Sequence, residues 1–316
     1  MDYSAIRREL RGPAVLSMTP FTENYQVNPA VVKQNVRHVV DGGISTGKGF
    51  IICPSGTGEY DTLTRDEHRQ VVQAAIEAAG GDIPIVVGIC SNSHFEVIER
   101  CNIASELGAK CAMIPPPYYY HGLDQDAVVR WYATIAEQTD IGLMVYDQSW
   151  RKLGGSVDGQ AIGELIKIPS VVSIKRGAMP SLTDYTETLD MYSDKVSVVD
   201  NSYGYTAGLA HMHGASSYIT GIGAFWPEGE AEFWSLLEAG QYAEADKLHS
   251  RQAKFWHFVD GPKGGFATGV LKAAAKYVGI EAGPPRPPFA QLNAEELKFV
   301  YQTLAELGVQ GKVAAS

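Results

Sequence analysis

Short apolar runs rich in β-branched residues alternate along this chain with longer segments in which apolar residues recur every three or four positions. The first pattern predicts buried strands and the second predicts amphipathic helices. Between the first two runs, Val32, Val36 and Val39 follow the helical spacing. Eight predicted strands cover residues 14–18, 49–53, 84–89, 111–114, 142–146, 171–175, 196–200 and 217–220.

Eight successive strand–helix units predict an α/β fold of the (β/α)8 TIM barrel type. Thr64 and Glu67 can form a capping box at the start of the helix that follows the second strand. The segment between that strand and that helix is therefore a βα loop. After Pro227 only helices are predicted, at residues 228–238, 241–258, 265–277 and 294–307. We therefore predict a catalytic barrel domain over residues 1–235 and a C-terminal helical extension over residues 236–316.

Composition narrows the choice of partners. The 316 residues carry a formal net charge of -10, which argues against nucleic-acid binding because that requires clustered cations. No apolar run reaches membrane-spanning length, and the N-terminal residues lack a secretory pattern, so we expect a cytoplasmic protein. The four cysteines lack C-x-x-C spacing, and His211 and His213 would face different sides of a helix, so no metal site is predicted.

Polar chemistry follows three of the predicted strands at their carboxyl ends. Lys175 closes the run at residues 171–175, and Tyr146 closes the run at residues 142–146. A barrel places its active site at the carboxyl ends of its strands, so these groups are expected to form one site. The run at residues 49–53 contributes the loop that contains Ser55, Gly56, Thr57, Gly58 and Glu59.

Lys175 is a candidate imine-forming nucleophile. An amine attacks a carbonyl carbon only when it is neutral, and at a reference pKa near 10.4 few lysines are neutral at pH 7. Burial at the barrel mouth would favour the neutral amine. From the strand alone, a surface lysine at a strand end is an equally good interpretation. Arg176 does not compete for the role, because the next residue on a strand points to the opposite face.

Tyr146 could pass a proton to and from a substrate hydroxyl, although taken alone it is better interpreted as a packing aromatic. In the loop, Gly56 and Gly58 allow the backbone to approach a ligand and expose N–H groups to a carboxylate. Thr57 adds a hydroxyl donor. An ordinary tight turn is the alternative interpretation of this loop.

Four motifs in register resemble the dihydrodipicolinate synthase/N-acetylneuraminate lyase family of class I aldolases and dehydratases: residues 56–59 with 63–64, 116–119, 145–147 and 174–175. The resemblance covers essentially the whole chain. It implies a homotetrameric TIM barrel in which a 2-oxo acid forms a Schiff base with Lys175, without a metal or organic cofactor. Tyr146 matches the family tyrosine, Tyr119 the second tyrosine, and Arg151 sits where synthases place the arginine that faces the substrate carboxylate. The expected substrate-binding residues are Ser55, Gly56, Thr57, Gly58, Tyr119, Arg151 and Ile219.

The resemblance also bears on the reaction. Gly56 replaces a threonine that joins a proton relay in the synthases, which favours the 5-dehydro-4-deoxyglucarate dehydratase branch; residues 272–276 and 282–288 resemble that branch, whereas residues 147–151 depart from it. We expect a lyase that dehydrates a 3-deoxy-2-oxo sugar acid such as 5-dehydro-4-deoxyglucarate, with or without decarboxylation. The alternatives are a pyruvate-dependent aldolase, a dihydrodipicolinate-synthase-like condensation, and a non-catalytic 2-oxo acid sensor. The presence of Lys175 and Tyr146 counts against the sensor.

Overall fold

Eight parallel strands, hydrogen-bonded in the order of the sequence and closed by pairing of the first with the last, form a barrel. The computed structural model describes residues 1–120, 122–149, 156–178, 180–259 and 268–313. The predicted TIM barrel is confirmed. Its strands are β1 Gly12–Leu16, β2 Phe50–Ile52, β3 Ile85–Gly88, β4 Cys111–Ile114, β5 Gly142–Tyr146, β6 Val171–Arg176, β7 Ser197–Asp200 and β8 Ser217–Thr220.

Helices follow the strands and cover the barrel, and four of them extend beyond it at the C-terminal end of the chain. The helices before β5 are α1 Tyr3–Glu9, α2 Pro29–Asp41, α3 Arg65–Ala79, α4 His94–Glu106 and α5 Gln125–Ala136. Those between β5 and the end of the barrel are α6 Gly159–Leu165, α7 Leu182–Tyr192, α8 Ala207–Met212 and α9 Pro227–Glu238. The last four are α10 Tyr242–Ser250, α11 Ala253–Val259, α12 Thr268–Tyr277 and α13 Ala294–Leu307.

The predicted capping box at α3 is confirmed. The Thr64 hydroxyl accepts a hydrogen bond from the Glu67 N–H at 3.3 Å, and the Glu67 carboxylate accepts one from the Thr64 N–H at 3.0 Å. These two contacts satisfy backbone donors that the first helical turn leaves without partners. They fix the point at which the loop after β2 ends and α3 begins.

The prediction of one helix over residues 241–258 is wrong. The chain turns at residues 251–252, between α10 and α11. Buried Gln252 holds this turn, because its amide donates to Glu230 Oε1 at 2.8 Å and its carbonyl oxygen accepts from Trp256 Nε1 at 3.2 Å. The apolar spacing continues through the turn, so the sequence pattern did not reveal the break.

The division into a barrel and a helical extension at residue 235 stays a prediction, and the predicted boundary falls inside α9. Among the helices that the structure describes, none combines the length and the apolar character needed to cross a membrane.

Side chains fill the inside of the barrel. The closed amino-terminal end is packed by Ile6 of α1 and by Leu10, both buried. A larger apolar cluster lies between the strands and the surrounding helices. The interior cluster consists of Ile6, Leu10, Ala14, Leu16, Phe50, Ile52, Tyr60, Val86, Cys111, Met113, Met144, Tyr146, Val172, Val199 and Ile219.

A register shift in the pairing of β5 with β6 determines which residues of β6 face the interior. Leu143 pairs with Val171, whereas Met144 pairs with Ser173, so one extra residue is accommodated on β6. A bulge of this kind reverses the side of the sheet to which the following residues point. As a result Lys175 becomes the register partner of Tyr146.

Candidate active site

Lys175 and Tyr146 lie in direct contact inside the carboxyl-terminal end of the barrel. Lys175 Nζ is 4.0 Å from the centroid of the Tyr146 ring. Both residues are buried, with exposed fractions of 3% and 6%. The interpretation of Lys175 as a surface lysine is therefore wrong, and an amine and a phenol share one water-poor compartment.

Arg176 points away from this compartment, as the strand alternation predicts. Its guanidinium donates to the Val157 carbonyl at 2.5 Å, lies 3.7 Å from Asp147 Oδ2, and also pairs with Asp184. The Asp147 N–H in turn donates to the Lys175 carbonyl at 2.9 Å. The ends of β5 and β6 are thus tied together one residue beyond the amine and the phenol.

The loop after β2 is folded tightly on itself. The Ser55 hydroxyl donates to the Ser17 carbonyl at 2.8 Å, accepts from the Gly58 N–H at 3.1 Å, and lies 3.0 Å from Thr57 Oγ1. A Cβ atom at position 58 would lie 2.5 Å from the Ser17 carbonyl oxygen, so only glycine fits there. The loop is more than an ordinary tight turn, because the Ser55 side chain also fixes it to the residue that follows β1.

The same loop offers hydrogen-bond donors. Its internal backbone bonds use the N–H groups of Gly58, Glu59 and Tyr60. Within the described part of the chain, the N–H groups of Gly56 and Thr57 donate to no protein acceptor. Two consecutive unpaired N–H groups on a rigid loop suit a carboxylate.

Tyr60 is a site residue that the sequence reasoning missed. Its ring is buried in the interior cluster with Tyr146, and a Cβ atom at position 56 would lie 3.8 Å from Tyr60 Cε1. Cys90 packs against the same cluster. Burial, with smaller contributions from Cys90 and Tyr146, raises the pKa of Tyr60 well above its usual value, so it remains a neutral phenol. A glycine at position 56 followed by an aromatic at position 60 is too common a pattern to have indicated this contact.

The other predicted substrate-binding residues differ in position. Ile219 is buried in the interior cluster, on the strand that closes the barrel. Tyr119 is 76% exposed in the loop after β4, where its N–H donates to Asn92 Oδ1 at 3.1 Å. Within this single chain the Tyr119 side chain is directed to solvent rather than into the barrel. Arg151 lies outside the described residues.

Among the residues that the structure describes, no group of three or more His, Cys, Asp or Glu side chains could hold a metal ion.

Comparison with known proteins places the chain in a family. The model of the dihydrodipicolinate synthetase family matches residues 9–307, and the chain belongs to that family. It is 28% identical over 302 residues to the 4-hydroxy-tetrahydrodipicolinate synthase of Methanococcoides burtonii, covering 94% of this chain and 97% of that protein. It is also 25% identical over 305 residues to the probable 5-dehydro-4-deoxyglucarate dehydratase of Pseudomonas putida, covering 93% of this chain and 94% of that protein.

The crystal structure of dihydrodipicolinate synthase from Oceanobacillus iheyensis superposes with a TM-score of 0.87, covering 98% of this chain and 100% of that chain at 22% identity. This likeness supports the barrel fold. The family assignment makes the protein an enzyme of the lyase and synthase type, and the predicted family is confirmed.

Proposed function

We propose that the protein is a Schiff-base-forming lyase that dehydrates a 3-deoxy-2-oxo sugar acid such as 5-dehydro-4-deoxyglucarate. The observation that carries this proposal is the buried Lys175 amine 4.0 Å from the Tyr146 ring at the carboxyl end of the barrel. An imine-forming lysine needs a partner that can move protons without leaving the compartment, and a phenol fulfils that role.

Binding begins with the substrate carboxylate, which accepts hydrogen bonds from the N–H groups of Gly56 and Thr57. The neutral Lys175 amine attacks the C2 carbonyl, and loss of water gives an imine between C2 and Nζ. Tyr146 protonates the imine, which then withdraws electrons from C3. The Tyr146 phenolate takes a C3 proton, so an enamine forms and the phenol is restored. The enamine electrons then expel the C4 hydroxyl, which leaves as water after Tyr146 protonates it.

Water hydrolyses the resulting protonated, unsaturated imine, which restores the free amine of Lys175 and returns a proton to the Tyr146 phenolate. The net change in the substrate is loss of one water molecule across C3 and C4. Loss of carbon dioxide from the product would be a further step, and product mass distinguishes the two outcomes.

A glycine at position 56 supports dehydration over condensation. Position 56 offers no side-chain hydroxyl to a proton relay, and the Tyr60 ring lies beside it, with Cε1 3.8 Å from where a Cβ atom would lie. Similarity to the probable dehydratase of Pseudomonas putida supports the same choice. The second candidate is a pyruvate-dependent condensation or aldol cleavage, favoured by the similarity to the synthase of Methanococcoides burtonii.

Borohydride trapping tests the shared mechanism. The protein is incubated with pyruvate or with each of a panel of 3-deoxy-2-oxo sugar acids, reduced, digested and mapped by mass spectrometry. We expect a mass increase on Lys175, and none on the second buried lysine, Lys272, which lies on a different peptide. Lys175→Ala should abolish both the adduct and turnover. A wild-type protein that forms no adduct with any member of the panel would contradict the proposal.

Product analysis then separates the reactions. A dehydratase releases a dehydrated acid of the same carbon number, or one carbon fewer after decarboxylation. An aldolase instead releases pyruvate and an aldehyde. Binding of a 2-oxo acid without any turnover would point to the sensor alternative.

A further inference from the structure

A second buried lysine lies behind the substrate loop. Lys272 of α12 is 4% exposed, and its Nζ is 2.8 Å from Oε1 of the fully buried Glu59. The ammonium also donates to the Pro284 carbonyl at 3.0 Å and lies 4.3 Å from the centroid of the Phe21 ring. Burial lowers the pKa of Lys272, and the Glu59 carboxylate opposes that effect.

Glu59 is the last residue of the loop that carries Gly56 and Thr57. Its backbone is in the left-handed region, with φ of 61°, which residues other than glycine adopt only with strain. The surrounding contacts hold it there. Its Oε1 faces Lys272, and its Oε2 accepts from the Arg286 N–H at 2.7 Å.

Arg286, which donates to Glu59, also binds to α3, the helix that follows the loop. Its guanidinium pairs with the Glu67 carboxylate at the start of α3 and donates to the Thr62 carbonyl at 2.9 Å. The segment from the loop to α3 is therefore held along its length by residues of the C-terminal part of the chain.

Helix α12 contacts the loop at two points. The Thr268 hydroxyl donates to the Thr57 carbonyl at 3.2 Å, and Lys272 pairs with Glu59. Positions four apart in a helix lie on the same face, so both contacts come from one face of α12. The two contacts hold the loop at Thr57 and Glu59, on either side of Gly58, which has no side chain that could anchor the loop.

We infer that Lys272 is a positioning residue for the substrate carboxylate: through Glu59 it holds the Gly56–Thr57 peptide in the orientation that presents two N–H groups to the ligand. This role rests on the proposed function. A buried ion pair contributes little net stability compared with apolar packing, but removing one partner leaves an unpaired charge. The pair is thus better suited to fixing a geometry than to stabilising the fold.

The experiment compares wild-type protein with Lys272→Met and with the double variant Glu59→Gln/Lys272→Met, which leaves no unpaired buried charge. Borohydride trapping is measured as a function of pyruvate concentration. We expect at least a tenfold rise in the half-saturating concentration in the double variant, while labelling at saturation still occurs on Lys175. Amide hydrogen exchange should become faster at residues 56–59 and stay unchanged in the barrel strands.

Glu230→Gln is the matched control. Glu230 is also buried, and its two oxygens accept from the Tyr218 hydroxyl and the Gln252 amide, each at 2.8 Å, on the outside of the barrel. This variant should lower the melting temperature without changing the half-saturating concentration. If the double variant behaves like this control, with lower stability but unchanged half-saturation, the positioning role is overturned. If the wild-type protein itself forms no adduct, the proposed function fails instead.

Discussion

Tyr146 and Lys175 are register partners on neighbouring strands, and this pairing brings the Lys175 amine to 4.0 Å from the centre of the Tyr146 ring. The contact is made by two adjacent strand ends, so it does not depend on a mobile loop. A nucleophile and a proton donor placed in this way keep their relative geometry throughout a reaction.

Tyr146→Phe retains the ring that contacts Lys175 and removes only the hydroxyl. We expect kcat for dehydration to fall by about 10²–10⁴-fold, the usual contribution of a positioned acid or base, while borohydride trapping on Lys175 persists. Tyr218→Phe serves as control, because that buried hydroxyl donates to Glu230 at 2.8 Å outside the barrel and should leave kcat unchanged. An unchanged rate in Tyr146→Phe would remove the role assigned to the phenol.

Substitutions at Gly56 test the packing against Tyr60. A Cβ atom at position 56 meets Tyr60 Cε1 at 3.8 Å, an ordinary contact distance, so Gly56→Ala should be tolerated. Gly56→Thr adds two further atoms beside the ring and should destabilise the protein by about 1–3 kcal/mol. Urea unfolding of Gly56→Thr, Tyr60→Ala and the double variant measures the coupling, which we expect to be favourable. Additive effects would show that the two positions do not share space.

His68 predicts a loss of stability in acid. The imidazole is buried and lies 2.9 Å from the Gly88 carbonyl, and burial lowers the pKa of His68 to about 4. His68 binds a proton near pH 6.5 in the unfolded chain and only near pH 4 in the folded chain. Its contribution to the free energy of unfolding is therefore fully present above pH 6.5 and is lost as the pH falls towards 4. This difference in pKa corresponds to a loss of about 3 kcal/mol in the free energy of unfolding.

Urea unfolding at pH 7.5 and pH 5 measures this effect. His68→Gln keeps an amide donor in reach of the Gly88 carbonyl but does not titrate, so its stability should fall less between the two pH values than that of the wild-type protein. Comparing the two proteins cancels the contributions of the other groups that titrate between the two pH values. Equal losses in both proteins would mean that His68 is not the group responsible.

We predict a homotetramer from the family resemblance. The aromatic side chains of Phe95, Tyr119 and Tyr120 are exposed near the loops after β3 and β4, and grouped exposed aromatics are typical of association surfaces. Light scattering should give a mass four times the 34.2 kDa of the chain. A mass equal to one chain at micromolar concentration would contradict the prediction.

Much of the fold could be predicted from the local order of apolar and polar residues. The predicted strands 111–114, 142–146 and 217–220 match the observed strands residue for residue, because buried parallel strands are continuous apolar runs with sharp polar ends. The predicted strand 14–18 is displaced to Gly12–Leu16, where β1 pairs with β8 from Gly12 onward. Hydrogen bonding to a strand distant in sequence, rather than hydropathy, set those bounds.

The candidate site divides in the same way. Lys175, Tyr146 and the Gly56–Thr57 loop stand out in the sequence because each ends an apolar run with a reactive or flexible residue. Tyr60 does not stand out, because an aromatic residue beside a turn is ordinary until its neighbours are known.

The sequence by itself determined the alternation of strands and helices, the barrel class and the ends of the strands where chemistry occurs, since these depend on the order of apolar and polar residues within about ten positions. The tertiary structure alone decided that Lys175 faces Tyr146, because the bulge in β6 shifts the register by one residue. It also decided that Lys272 holds Glu59, residues brought within 2.8 Å only when the C-terminal helices pack on the barrel. Local patterns carry no information on register shifts or on ion pairs between distant segments, because both arise from packing of the whole chain.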